Sequence, residues 1–342
     1  MKLSKEEITW IKGTAIFIIV CHNLLRILYF KECNECSFII SFIKYPPHFE
    51  ILPFQILLYY GWLGVPLFVF LSGAGLSYKY KQTRFNYQKY ILWNVSKLFV
   101  LFLPCFLICM ILGFTGITNC PLSKKALFLQ STGLINFFAP SVFSWPGIYW
   151  YIGLTLQLYI LFPLLSRFTE KQLIYIFLIL IVILQIYCNT ESTYLIAIRK
   201  NAIGWVHIFI LGILYARINI PQIFFKHNRT SLITIALVCV TTSLYKYTWI
   251  IPELCIIPIF LILAKKLYKK QVSKYTIFIG SISASIFVVH PVLRLLVTPY
   301  KGDHTSLMLT LYIILFFSTT SAISYIYNIY LSKSYKFLND KI

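Results

Sequence analysis

The chain is a succession of apolar runs, each about as long as the hydrocarbon core of a bilayer is thick, separated by short polar stretches. Inside hydrocarbon every backbone N–H and C=O must be paired within the protein, and a run of roughly 20 apolar residues achieves that as a helix. Ten such runs can be laid down, at about 8–29, 54–78, 92–113, 148–167, 173–189, 203–217, 231–248, 250–267, 276–298 and 307–331. With 59% of 342 residues hydrophobic and a mean hydropathy of +0.77, too little polar surface remains for a soluble domain. The expected fold is an all-α integral membrane protein of about ten transmembrane helices, forming one domain over residues 1–342. No small-x-small cleavage site follows the first run, so it is expected to stay in the membrane as the first helix.

Charge sets the expected orientation. The formal charge of +21 is spread in short clusters between apolar runs, which argues for topology and against a nucleic-acid partner. Of the 31 Lys and Arg residues, 19 fall on the side that holds both termini, 8 on the other, and Lys12, Arg26, Lys97 and Arg294 within the runs. The positive-inside rule then makes both termini cytoplasmic. The ten acidic residues are expected to lie outside the spans, which leaves no carboxylate relay for a proton-coupled carrier. Residues 126–138 form an apolar patch too short to cross, expected to lie on the outer surface or dip back in. Cys33 and Cys36 are candidates for an extracytoplasmic disulfide or a metal half-site, whereas Cys21, Cys105, Cys109 and Cys239 read as isolated thiols in helices.

The first run, WIKGTAIFIIVCHNLLR, places Lys12 near its inner end and His22 ten positions further on, slightly outside its midpoint. An ionisable side chain at that depth is costly and marks a candidate functional site. An interhelical hydrogen bond is the plainer account of such a histidine. Neutral imidazole is also a base matched to a sugar hydroxyl near neutral pH, with an unperturbed pKa of ~6.5. His290 is the counterpart in the ninth run, and Arg26 and Arg294 follow the two histidines at four residues, on the same helix face. Either arginine can instead snorkel to headgroups. Ser72 precedes Gly73 at the inner part of the second run, Gln157 and Tyr159 are polar groups deep in the fourth, and Lys97 follows a basic loop containing Arg84. With Lys12, Arg84 and Lys97 give cationic density that suits either phosphates or anionic membrane lipids. Walker, dinucleotide-binding, zinc and paired-carboxylate motifs are missing, and no metal is expected.

Several stretches, taken in order, resemble the membrane acyltransferase 3 family, which includes bacterial O-acetyltransferases of surface glycans. They are IKGTAIFIIVCHN, GVPLFVFLSGAGL, the basic stretch through Lys97, WYIGLTLQLYILFPLL, FILGILYAR and SIFVVHP, and together they cover nearly the whole chain. The resemblance implies a membrane-embedded acyltransferase that passes an acyl group, usually acetyl from acetyl-CoA, to a hydroxyl of a carbohydrate or glycolipid acceptor. It also implies a multi-pass protein of the bacterial inner (plasma) membrane. By position, Lys12 and His22 match the family's basic-residue and histidine motif, and Ser72 with Gly73 its serine-glycine. Nine residues lie between Lys12 and His22 where the family commonly has ten, which puts Asn23 in the usual register. Asn94 and Lys97 stand where it has paired arginines. On this reading His22 is the base, Lys12, Arg84 and Lys97 hold the donor, and Arg26, Ser72, Gln157, Tyr159, His290 and Arg294 contact substrate. An exporter or flippase of a lipid-linked sugar or polysaccharide is the alternative.

Overall fold

The computed structural model describes residues 3–28, 51–80, 86–118, 123–138, 147–187, 197–218, 228–243, 248–269, 271, 273–297 and 305–341. Arg84 and the Cys33/Cys36 pair lie outside the described residues. Among the described residues the regular structure is all helical. The helices are α1 (Lys5–Leu28), α2 (Leu52–Tyr60), α3 (Gly64–Lys79), α4 (Tyr87–Phe114), α5 (Lys124–Ser131), α6 (Ile135–Phe138) and α7 (Trp150–Ser166). They continue as α8 (Glu170–Tyr187), α9 (Val206–Arg217), α10 (Asn228–Ser243), α11 (Ile250–Leu267), α12 (Ser273–Ser281), α13 (Ser283–Leu296) and α14 (Ser306–Lys341).

Five helical stretches are long and apolar enough to cross a membrane: Lys5–Leu28, Leu52–Lys79, Tyr87–Phe114, Gly147–Ser166 and Ser306–Asp340. The second is α2 and α3 joined through a 3-10 turn at Gly61–Leu63. The expected ninth span is not one straight helix. It is broken into α12 and α13 with a bend of 78°, and counts as a sixth crossing if the pair spans as a unit. The break falls in the run Gly280-Ser-Ile-Ser-Ala-Ser285, where Ile282 leaves the helical conformation at φ −106, ψ 12 and the Ser281 hydroxyl bonds the Phe278 carbonyl. Serine hydroxyls of this kind compete with the backbone ladder. Helices α8 to α11 fill the four remaining runs, of which α9 has only 12 residues and α10 only 16.

α1 is the hub: it packs on α2, α3, α11, α12, α13 and α14. Its start is held by a capping box, in which Ser4 N–H donates to Glu7 and Glu7 N–H to the Ser4 hydroxyl (2.6 and 3.1 Å). Glu7 also pairs with Lys265 at the end of α11 (2.7 Å). The half of α1 nearer the N-terminus (Trp10, Ile11, Ala15), called inner below and the other half outer as labels of position along α1 alone, joins one hydrophobic cluster with α3, α7, α9 and α11. The outer half (Ile16, Val20, Leu24, Leu28) joins a second with α4, α13 and α14. Tyr60, Phe68, Tyr151 and Tyr159 touch both clusters and line the seam between them.

Small residues allow close crossings where α1 meets α12 and where α3 meets α9. A Cβ on Gly13 would overlap the Thr276 carbonyl, and one on Gly280 the Thr9 carbonyl. Gly73 and Gly212 pack against Phe209 and Phe70 backbone in the same way. In α4, Pro104 lacks the N–H that would reach the Val100 carbonyl, and the Tyr327 hydroxyl of α14 bonds there instead (3.3 Å) and to Leu101 (2.9 Å). The patch 126–138 forms α5 and α6, tied to α7 by Asn136 Nδ2 on the Trp150 carbonyl (2.7 Å), with Phe128, Phe137 and Phe138 exposed.

Candidate active site

The polar residues on α1 define two centres about 15 Å apart by the helical rise of ~1.5 Å per residue between Lys12 and His22. The outer centre is built around His22, which is 5% exposed. Gly61 at the start of the 3-10 turn lies directly on the His22 side chain, a contact that a Cβ would destroy. The approach brings the Leu58 carbonyl to 2.5 Å from His22 Nδ1. A carbonyl can only accept, so the Nδ1 atom carries a proton; in a neutral ring held this way the lone pair falls on Nε2, the tautomer a general base requires.

The next residue, Asn23, turns to α13. Its Nδ2 donates to the Ile19 carbonyl (2.8 Å) and its Oδ1 accepts from Arg294 Nη1 (3.2 Å). Arg294 is half-buried, lies beside Gly147 and stands close enough to Arg26 for the two guanidiniums to repel. His290, one turn inward from Arg294, is fully buried. Its Nδ1 donates to the Ile286 carbonyl (2.8 Å), its ring meets the Phe287 edge, and its Nε2 has no partner. Tyr149 closes this side by donating to the Val288 carbonyl (2.7 Å). The structure therefore brings Asn23, Arg26 and Arg294 together, sets His22 one turn before Arg26 on α1 and facing α2, and buries His290 one turn from Arg294 on α13.

The inner centre combines Lys12 with two exposed lysines from other helices. Lys97 lies within electrostatic reach of Lys12 and Lys79. Its ammonium sits 4.9 Å from the Tyr335 ring centre, and Lys79 stands over Tyr80 and Trp93 at 5.2 and 5.7 Å. Tyr159 interacts with Tyr80 and Tyr335 on this side and with Tyr151 further along the seam. The half-buried tyrosines thus run from the inner lysines towards the outer centre. Asn94 bonds the Tyr90 carbonyl of its own helix (2.8 Å) and does not join Lys97.

Two other expected site residues behave differently. Gln157 is committed at both ends of its amide: Nε2 donates to Asn201 (2.7 Å) and Oε1 accepts from Ala202 N–H (2.6 Å). It holds the 3-10 turn Ala202–Gly204 against α7, a supporting role. Ser72 is half-buried, and its hydroxyl bonds no other described residue.

The expectation of carboxylate-free spans is wrong. Glu253 lies within the run 250–267, fully buried, with its carboxylate 3.5 Å from the equally buried His207 of α9. The residue was visible in the sequence, but nothing local in either run pointed to its partner. Sequence reasoning met Asn23 only as a register position, without its partner, and missed Tyr335 and Arg199, whose guanidinium lies between Trp62 and Trp249 at 5.0 and 5.3 Å.

These features define a multi-pass, all-α membrane protein with a histidine-centred polar site within its core. Residues 5–328 match the model of the acyltransferase 3 family, described as an acyltransferase domain. The match spans nearly the whole chain, and the protein belongs to that family: it is a membrane acyltransferase. No curated protein and no solved structure matches the chain.

Proposed function

We propose that the protein transfers an acyl group, acetyl in the simplest case, from acyl-CoA to a hydroxyl of a cell-envelope or surface carbohydrate. It would do so from the bacterial inner membrane, with ten crossings and both termini in the cytoplasm. The observation that carries this reading is His22, with its proton fixed on Nδ1 by Leu58, on the same helix as Lys12 of the cationic inner centre. The donor's phosphates would be held by Lys12 and Lys97, with Arg84 expected alongside, and its thioester arm would follow the tyrosine-lined seam. His22 Nε2 takes the proton of the acceptor hydroxyl as its oxygen attacks the thioester carbonyl. The tetrahedral oxyanion then collapses, the C–S bond breaks, and the thiolate leaves with the proton returned by the imidazolium. In this scheme Ser72 and Tyr159 would face the donor.

The test uses His22→Ala and His22→Gln variants present in the membrane at wild-type levels. Both are expected to abolish O-acyl esters on surface glycan while polymer amount stays unchanged. Retained esters would remove His22 from the chemistry, and loss of the polymer itself would point to export.

A further inference from the structure

We propose that Tyr335, within the last two turns of α14, is a positioning residue for the acyl donor: its ring holds Lys97 in the inner centre, where the ammonium meets a donor phosphate. The inference rests on the acyltransferase reading and on the place of Lys97 in it. It adds a residue outside 5–328, the part of the chain that matches the family.

Tyr335 meets Lys97 at both ends. The ammonium lies 4.9 Å from the centre of the Tyr335 ring, and the Tyr335 hydroxyl donates to the Lys97 carbonyl at 3.4 Å. The hydroxyl bond is long and weak. An ammonium within about 6 Å of a ring centre, by contrast, is drawn to the negative face of the π-system. The ring is delivered by a helix already fixed on α4, since Tyr327, about two turns earlier, bonds the Val100 and Leu101 carbonyls.

A lysine in this position needs such a support. Lys97 has Lys12 and Lys79 within electrostatic reach, and like charges push one another apart. Its stem is long and flexible, so an unsupported ammonium would turn away from the other two cations. A tyrosine ring has only two side-chain torsions and gives a stiff surface. It also carries no charge: a carboxylate in its place would hold Lys97 equally well but would cancel the charge that a phosphate is bound by. Lys79 is seated in the same manner, over Tyr80 and Trp93 at 5.2 and 5.7 Å. Tyr335 further interacts with Tyr159, which puts the supported ammonium beside the tyrosines of the seam.

The test measures KM and kcat for labelled acetyl-CoA in membranes carrying matched amounts of the full-length protein. Tyr335→Leu should raise KM about twofold to fivefold, the size of one cation–π contact, and leave kcat unchanged. Tyr335→Phe keeps the ring and should recover most of that affinity. In a Lys97→Gln background Tyr335→Leu should raise KM no further. Tyr335→Gln, which also lacks the ring, replaces the leucine variant if that one does not reach the membrane.

A wild-type KM in the ringless variants would overturn the inference, and so would a Tyr335→Phe protein as weak as Tyr335→Leu. A rise of equal size in the Lys97→Gln background, or a fall in kcat together with a lower thermal midpoint, would reduce Tyr335 to packing α14 on α4. If Lys97→Gln by itself leaves KM unchanged, the placing of the donor on Lys97 falls first and takes this inference with it.

Discussion

Replacing Gly280 with alanine perturbs the helix crossing that sets the position of α1. The new Cβ would overlap the Thr9 carbonyl oxygen, with the carbonyl carbon at 2.8 Å and Gly13 N at 2.9 Å. Non-bonded carbon atoms rest at about 3.5–4.0 Å, so α1 and α12 must part by about 1 Å. All these contacts are backbone, so no side chain can swing aside to absorb the change. Overpacking of this kind costs about 1–3 kcal/mol of stability. Because α1 carries Lys12 and His22, the groups proposed above to hold the donor and act as base, a displacement of ~1 Å there can cost about 10²-fold in rate. The assay is acyl transfer from labelled acetyl-CoA in membranes carrying matched amounts of protein, with the thermal midpoint measured in detergent. Gly75→Ala is the control, since a Cβ there meets nothing within 4 Å. Gly280→Ala is expected to lose most activity and lower the midpoint, and Gly75→Ala to change neither. A Gly280→Ala protein with wild-type rate and midpoint would refute the claim that this crossing positions the site.

Further substitutions probe other contacts. His207→Leu should destabilise the protein more than Glu253→Leu, because it removes the imidazole beside a buried carboxylate whereas the converse leaves a neutral ring. The double substitution should recover part of the loss, as thermal unfolding would show. Tyr327→Phe should cost about 1 kcal/mol by removing the donor to the Val100 carbonyl, and less in a Pro104→Ala background, where the backbone N–H returns. A double-mutant cycle with purely additive losses would refute that pairing. Lys12→Gln and Lys97→Gln should raise KM for acetyl-CoA and reduce its salt dependence with little change in protein level.

The helical architecture was legible in the sequence because hydropathy over roughly 20 residues is a local property and lipid admits few backbone solutions. Lys12 and His22 were legible for the same reason: an ionisable residue stands out against an apolar run wherever the chain folds. Tertiary structure alone decided what those residues face. His22 meets the Leu58 carbonyl because Gly61 admits it, and its neighbour Asn23 turns to Arg294, 271 residues away in the chain. Likewise, no pattern in 203–217 or 250–267 pairs His207 with Glu253, and no length rule places the 78° bend at Ile282. Helix formation is settled by a residue's neighbours within a few turns. Hydrogen bonds between helices and the charge balance of a buried site depend on which faces meet, and only the packed bundle determines that.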